Sequence, residues 1–165
     1  MINYDTKRLI IRELTMHDTV TIYNFSQEET LAQWIPNQVY DDLDEATEVL
    51  TFLINSYSNM ELPLVMAIEL KSTHEMIGHV GLSTVNDVIE IGYAIGTDHQ
   101  GNGYAKEPVI SYVTWGKENL KIHQIYGLVT VVNLASTKVL EFNLTHPKYF
   151  LYEKSTSNRL DNFND

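Results

Sequence analysis

Between Ile89 and Val109 the chain runs from an apolar stretch, IEIGYAI, through a polar turn, GTDHQGNG, into a helix-like stretch, YAKEPV. A strand, a turn and a helix in that order can hold a polyphosphate with main-chain atoms alone. The first N–H groups of a helix have no partner inside it, and that end carries partial positive charge. Gly101 and Gly103 remove the side chains that would keep a diphosphate away from those donors. The spacing is selective. Gly101-Asn102-Gly103 is followed by Tyr104-Ala105-Lys106, which fits neither GxGxxG nor the GxxxxGK loop of nucleoside-triphosphate sites.

Two titratable residues lie nearby in sequence. Strand alternation puts Glu90 on one face with Val88, Gly92 and Ala94, opposite Ile89, Ile91, Tyr93 and Ile95. A carboxylate among apolar residues is partly desolvated, which raises its pKa toward useful basicity. The alternative is a strand-edge Glu that faces solvent or pairs with a lysine. His79 is the other group able to titrate near neutral pH, or else a polar pocket wall. Metal chemistry is not expected. His74 and His79 are five apart across a strand start, whereas zinc ligation needs i, i+4 on a helix. With no cysteine there is no disulfide, thiolate nucleophile or Cys-ligated zinc.

These residues need elements to position them. Leu9 and Ile11 alternate with Arg8, Ile10 and Arg12 as a first strand. Thr15 stands where an N-cap would, ahead of a helix over Met16–Phe25. Residues 26–44 read as irregular and acidic, with Pro36 inside. Asp42 or Asp44 then caps a second helix carrying Ala46, Val49, Leu50, Leu53 and Ile54 inward. Strands over Leu62–Leu70, Met76–Ser83 and Val88–Ile95, with short polar links, suit an antiparallel meander. A long helix over Tyr104–Asn119 has Pro108 early, where proline costs least. A central strand over Ile125–Val132, a helix over Ala135–Leu144 and a strand over Tyr149–Lys154 complete the order.

Composition sets the bounds. A chain of 165 residues makes one domain (1–165) with a hydrophobic core that needs no staples. Its start lacks a basic and apolar leader and no apolar run approaches ~18 residues, so a cytoplasmic protein off the membrane is expected and the sequons at Asn24 and Asn143 are chance matches. A formal charge of −11 argues against nucleic acid or an anionic membrane as partner. It suits cationic amines, or simply keeps the protein soluble. Ten Tyr and two Trp lack interleaved basic residues and read as core and pocket walls rather than base-stacking platforms.

Gln100-Gly101-Asn102-Gly103-Tyr104-Ala105 also matches a known pattern: Gln or Arg, two residues, Gly, one residue, then Gly or Ala. In this it resembles the GCN5-related N-acetyltransferases, which hold the pyrophosphate of acetyl-CoA with such a loop. Further segments, in order, resemble the subgroup that acetylates ribosomal-protein N-termini (RimJ/RimL-like). They are Thr6–Arg12, Trp34-Ile35-Pro36, Met76–Leu82, Glu90–Tyr93, Tyr104–Glu107 and Asn133–Ser136, and the resemblance covers about residues 5–142. It implies an α/β (α+β) acetyltransferase fold: a mixed, mostly antiparallel sheet of six or seven strands, four helices on both faces, and strands four and five splayed apart to admit the pantetheine arm. It implies acetyl-CoA as co-substrate, no metal, and direct attack by a primary amine, from a protein N-terminus or a small molecule. Only a neutral amine attacks, and a free alkylamine has a pKa near ~10, so a base is needed. Glu90 is the implied base, often through water. N–H groups around Tyr93, Ala94 and Ile95 would meet the thioester oxygen and pantetheine amides. The amides from Gln100 to Ala105 would hold the diphosphate. Asn133 would bond the pantetheine region, or cap a helix, or do both. Ser136 could protonate the departing thiolate. Trp34 and His79 are candidate acceptor-binding residues, and the acidic run 28–29 and 41–45 lies where the family recognises its acceptor.

Two departures stand out. Many family members carry a general-acid tyrosine seven positions after the asparagine, and here that position is Leu140. The family also ends in two paired strands, whereas this chain offers one, then a polar tail over 155–165. That would leave a sheet edge for a second copy or a crossing tail to cover, or mark a weakly active, catalytically idle acyl-CoA binder.

Overall fold

A computed structural model of the chain describes residues 2–130, 132–143 and 150–155. They form one mixed sheet of seven strands in chain order. β1 (Asn3–Asp5), β2 (Leu9–Glu13), β3 (Leu64–Leu70), β4 (Met76–Val85) and β5 (Val88–Ile95) are each antiparallel to the next. β6 (Ile125–Thr130) and β7 (Phe150–Ser155) add in parallel. α1 (Thr19–Ser26), α2 (Glu29–Trp34) and α3 (Leu43–Ser56) lie between β2 and β3 in the chain. α4 (Lys106–Leu120) links β5 to β6, and α5 (Leu134–Asn143) links β6 to β7.

Strand alternation divides the core between the two faces of the sheet. Leu9, Ile11, Met66, Ile68, Val80, Leu82 and Ile91 pack with Val109, Tyr112 and Val113 of α4 and Leu140 of α5. On the other face Leu14 and Ala67 pack with Leu50, Leu53 and Ile54 of α3 and Ile22 and Phe25 of α1. Each large aliphatic buried this way contributes about 1.5–3 kcal/mol. One tyrosine anchors each side. The Tyr112 hydroxyl, fully buried, donates to Leu64 O at 2.9 Å. The Tyr57 hydroxyl donates to Val65 O and accepts from Leu14 N.

The elements differ from expectation in instructive places. The expected helix over Met16–Phe25 divides into a 3₁₀ turn at Met16–Asp18 and then α1. Asp18 is pulled into that turn, because its carboxylate takes Arg12 at 2.9 and 2.8 Å and Thr15 N at 2.8 Å. The stretch read as irregular holds α2, pinned by the buried Leu31 and ended just before Pro36, since the residue before proline is driven from helical geometry. β3 starts at Leu64 rather than Leu62, as Pro63 has no N–H for the ladder. β4 runs on to Val85, and the link to β5 is the two-residue turn Asn86-Asp87 with φ of 46° and 63°. The final strand is shifted one residue from the expected Tyr149–Lys154 and lies parallel to β6. Position 131, the end of the expected helix at Leu144, and residues 156–165 of the expected tail lie outside the described residues.

Candidate active site

Among the described residues β5 and β6 share one register pair, Glu90 with Tyr126. No register pair to β6 is found among them from Ile91 to Ile95, whereas the β4 side of β5 is paired throughout. Main-chain groups around Tyr93, Ala94 and Ile95 border this notch. β5 then delivers the chain through a 3₁₀ turn at Thr97–His99 to the glycine loop and α4.

Gly101 and Gly103 both have left-handed φ, +77° and +69°. That region costs other residues about 1–2 kcal/mol. Among the described residues, no hydrogen bond is donated by the main-chain N–H of residues 101–105 to a protein acceptor. Side chains shape the loop instead. Gln100 Nε2 donates to Ile95 O at 2.9 Å, and Asn102 Nδ2 to His99 O and Gln100 O at 3.1 Å.

A residue not singled out from the sequence sets the loop's orientation. Arg8 donates from Nη1 to Asn102 O at 2.9 Å and from Nη2 to Gly103 O at 3.0 Å. Its guanidinium lies 4.5 Å from the Tyr104 ring centroid and pairs through Nε with Glu107. C=O and N–H of a trans peptide point in opposite directions. By drawing two carbonyls toward itself, Arg8 turns the N–H groups of Gly103 and Tyr104 the other way. Glu107 is fixed in turn by the Thr6 hydroxyl at 2.7 Å and Arg8 N at 3.0 Å. Burial pushes the Glu107 carboxyl up, but the donors Thr6 and Arg8 outweigh it and hold the group below 4.5.

The other face of β5 carries Glu90, Gly92 and Ala94, opposite Ser83, Gly81 and His79 of β4. Burial pushes the Glu90 carboxyl up from 4.5 to about 7. Burial likewise pushes His79 down, from 6.5 to about 4, so its ring is neutral near pH 7. These four residues of β4 and β5 (His79, Gly81, Ser83, Gly92) floor a cavity of about 290 Å³, roofed by α1, α2 and α3. Trp34 is not among its lining residues; Leu31 and Ile35 on either side of it are.

Across the notch, Asn133 caps α5, its Oδ1 accepting from Ser136 N at 3.1 Å. Ser136 O accepts from the Tyr93 hydroxyl at 3.3 Å, which ties β5 to α5. The Ser136 hydroxyl makes no hydrogen bond to a described residue. Leu140, seven positions after Asn133, is 1% exposed and part of the core with α4. Among the described residues no cluster of three or more His, Asp or Glu is placed to hold a metal, and His74 faces outward to Glu69.

Comparison with known proteins gives this arrangement its class. The profile of the acetyltransferase (GNAT) domain matches residues 8–143, and the chain belongs to that family. It is 27% identical over 162 residues to the "Uncharacterized N-acetyltransferase p20" of Bacillus licheniformis, covering 94% of this chain and 90% of that one. Its fold is shared with a ribosomal-protein-S5-alanine acetyltransferase from Vibrio fischeri (TM-score 0.74, 22% identity, 87% of this chain and 82% of that one). It is shared too with a microcin C7 self immunity acetyltransferase in complex with acetyl-CoA and AMP (TM-score 0.67, 14% identity, 84% and 78%). The α/β acetyltransferase fold is thus established. No helix among the described residues is long and apolar enough to cross a membrane.

Proposed function

We propose that this acetyltransferase moves an acetyl group from acetyl-CoA to a primary amine by direct attack, with both substrates bound together. The observation that carries the reading is the loop at 101–105: amides without protein acceptors, ahead of α4, with glycine at the two left-handed positions. A Cβ built on Gly101 would meet nothing within 4 Å, so the space beside the loop is open to a diphosphate. The side of β5 beyond its register pair with β6, around Ala94 and Ile95, would face the thioester and pantetheine amides, and Asn133 borders the same notch.

Acetyl-CoA supplies the activated acetyl group; the protein's residues handle position and protons. Glu90, with a carboxyl balanced near pH 7, takes the ammonium proton directly or through one water. Ser136 lies at the first turn of α5 with its hydroxyl uncommitted, and it relays a proton from water to the departing thiolate, regaining its own as it gives one up. The acceptor enters over the α1–α3 face, where Glu90 and the cavity lie. The likeness to a ribosomal-protein acetyltransferase makes a protein N-terminus one acceptor class to test beside small amines.

A second reading has one observation in its favour. Leu140 belongs to the core, so this chain lacks a hydroxyl acid where many relatives have one, as an idle acyl-CoA binder would. Thiol release separates the two. Acetyl-CoA raises the melting temperature under either reading by ligand linkage. Free CoA thiol accumulating with an amine panel, and slowing at least a hundredfold in Glu90→Gln, supports the enzyme. Binding without thiol release from any amine refutes it.

A further inference from the structure

The acceptor itself is written in the cavity floored by β4 and β5, and this step rests on the transferase reading above. The chain carries 22 acidic residues against 11 basic ones, which alone would favour a polycationic acceptor. Three carboxylates of the acidic run beside the site, Glu28, Asp42 and Glu45, are engaged by the protein itself. Glu28 accepts from Thr97 N at 2.7 Å and Thr97 Oγ1 at 2.5 Å. Glu45 accepts from Asp41 N at 2.6 Å, and Asp42 caps α3 through Glu45 N at 2.9 Å. None of residues 28, 29, 41, 42, 44 and 45 lines the cavity.

Most of its wall is apolar, with Ser26, Asn37, Gln38, Tyr40 and Ser83 as polar members beside His79. Ile22 and Phe25 come from α1, Leu31 from α2, Val49 and Leu53 from α3, with Val65 beneath. A cavity of about 290 Å³ sits at the small end for ligand pockets, roughly 300–1,000 Å³. Set into this wall is His79, only 9% exposed. Its ring makes no hydrogen bond to a described residue, and Nδ1 is enclosed without a partner. A buried polar group left unpaired costs about 1–3 kcal/mol. Nε2 is not enclosed in this way and makes no hydrogen bond to a described residue, so it is the ring nitrogen with which a bound ligand's polar atom can pair. Glu90 is not itself a lining residue; it adjoins the cavity as the register partner of Ser83, four residues along β4 from His79, or about 13 Å at strand spacing. An acceptor can meet both groups only by extending along β4.

We propose that the acceptor is a primary amine on a compact apolar or aromatic body. The amine faces Glu90, the body fills the cavity between the sheet and α1–α3, and a polar atom at its far end pairs with His79. A small arylalkylamine and the N-terminal residue of a peptide present the same chemistry, and the test distinguishes them.

Thiol release is measured with 2-phenylethylamine, tyramine, spermidine and short peptides beginning with Phe or Ser, alongside calorimetric binding of acetyl-CoA. The expected result is kcat/KM at least tenfold higher for the two arylalkylamines or the Phe peptide than for spermidine or the Ser peptide. Tyramine should outperform 2-phenylethylamine, and His79→Leu should erase that advantage, roughly tenfold for one buried hydrogen bond, without changing the acetyl-CoA dissociation constant. Val49→Phe, which fills the cavity, should raise KM for aromatic acceptors and leave acetyl-CoA binding alone. Preference for spermidine, or a tyramine advantage that survives in His79→Leu, overturns the proposal while the transferase reading stands. Acetyl-CoA binding with no thiol release from any amine removes both.

Discussion

Replacing Glu90 with Gln tests the site through stability as well as rate. In the folded protein burial raises this carboxyl from 4.5 to about 7. The folded state thus keeps a proton that the unfolded chain has released, and stability falls as pH rises from 4.5 through about 7 and then levels. The rise corresponds to about 3 kcal/mol in favour of the neutral acid. Gln is neutral at every pH and nearly the same shape, so the variant escapes that loss. Its advantage over the parent should be under about 1 kcal/mol at pH 5 and about 3 kcal/mol at pH 8. For a chain of this size that is roughly 6–12 °C in melting temperature at pH 8. His79 slopes the opposite way, since a buried neutral ring with pKa about 4 makes stability fall as pH drops below 6.5. That slope is common to both proteins and cancels in their difference. The same variant should lose about 10²–10⁴-fold in kcat and, with it, the acid limb of the rate profile near pH 7. Thermal melts at pH 5 and 8 with thiol-release kinetics measure both. A stability gain equal at the two pH values would mean that Glu90 titrates like a surface carboxylate, and the base assignment would fall with it.

Further outcomes follow from the loop and the core. Arg8→Ala should weaken CoA binding five- to tenfold by calorimetry, through loss of two hydrogen bonds that orient the loop. Arg8→Lys should not restore it, because an ammonium lacks the planar fork; full affinity in either variant contradicts the clamp. Gly101→Ala should cost about 1 kcal/mol in a urea melt, from left-handed backbone alone, and reduce CoA affinity by more than that. On the proposal that main-chain dipoles rather than clustered cations hold the diphosphate, CoA affinity should change less than threefold between 50 and 500 mM NaCl; a steep loss would point to lysines instead. Tyr112→Phe should destabilise by about 1–3 kcal/mol in denaturant titration, leaving Leu64 O without its buried donor.

Much of the site was legible because it is local. The glycine loop, the face carrying Glu90 and the capping role of Asn133 all follow from a period of two along a strand or from a helix start, and neighbouring residues alone determine these. Arg8 was not legible. It reads as one more polar position in an alternating strand, and its partners Asn102, Gly103 and Glu107 lie about a hundred residues away. α2 escaped notice because six residues ended by Pro36 give too few apolar repeats to mark a period, and its one buried anchor, Leu31, counts only once the sheet is beneath it. The role of the acidic run was not legible either, since composition cannot tell a carboxylate that caps a backbone, as Asp42 does, from one that faces a ligand.

β5 is the element that carries both halves of the proposed site. Its odd-numbered residues Ile89, Ile91, Tyr93 and Ile95 pack toward α4, and its even-numbered residues Glu90, Gly92 and Ala94 face α1–α3. A slip of one residue would exchange the faces, burying Glu90 against the α4 core and turning Ile91 toward the acceptor. Two features forbid that slip. The Asn86-Asp87 turn, left-handed at both residues, fixes the β4–β5 register from one end. At the other end β5 passes so close to β4 that a Cβ on Gly78 would lie 2.1 Å from Ala94 O. Only glycine fits opposite that carbonyl, so any other pairing would bring a side chain against it. Because β4 pairs with β5 along its whole length, a ligand bound on the side toward β6, as proposed, would leave the register intact.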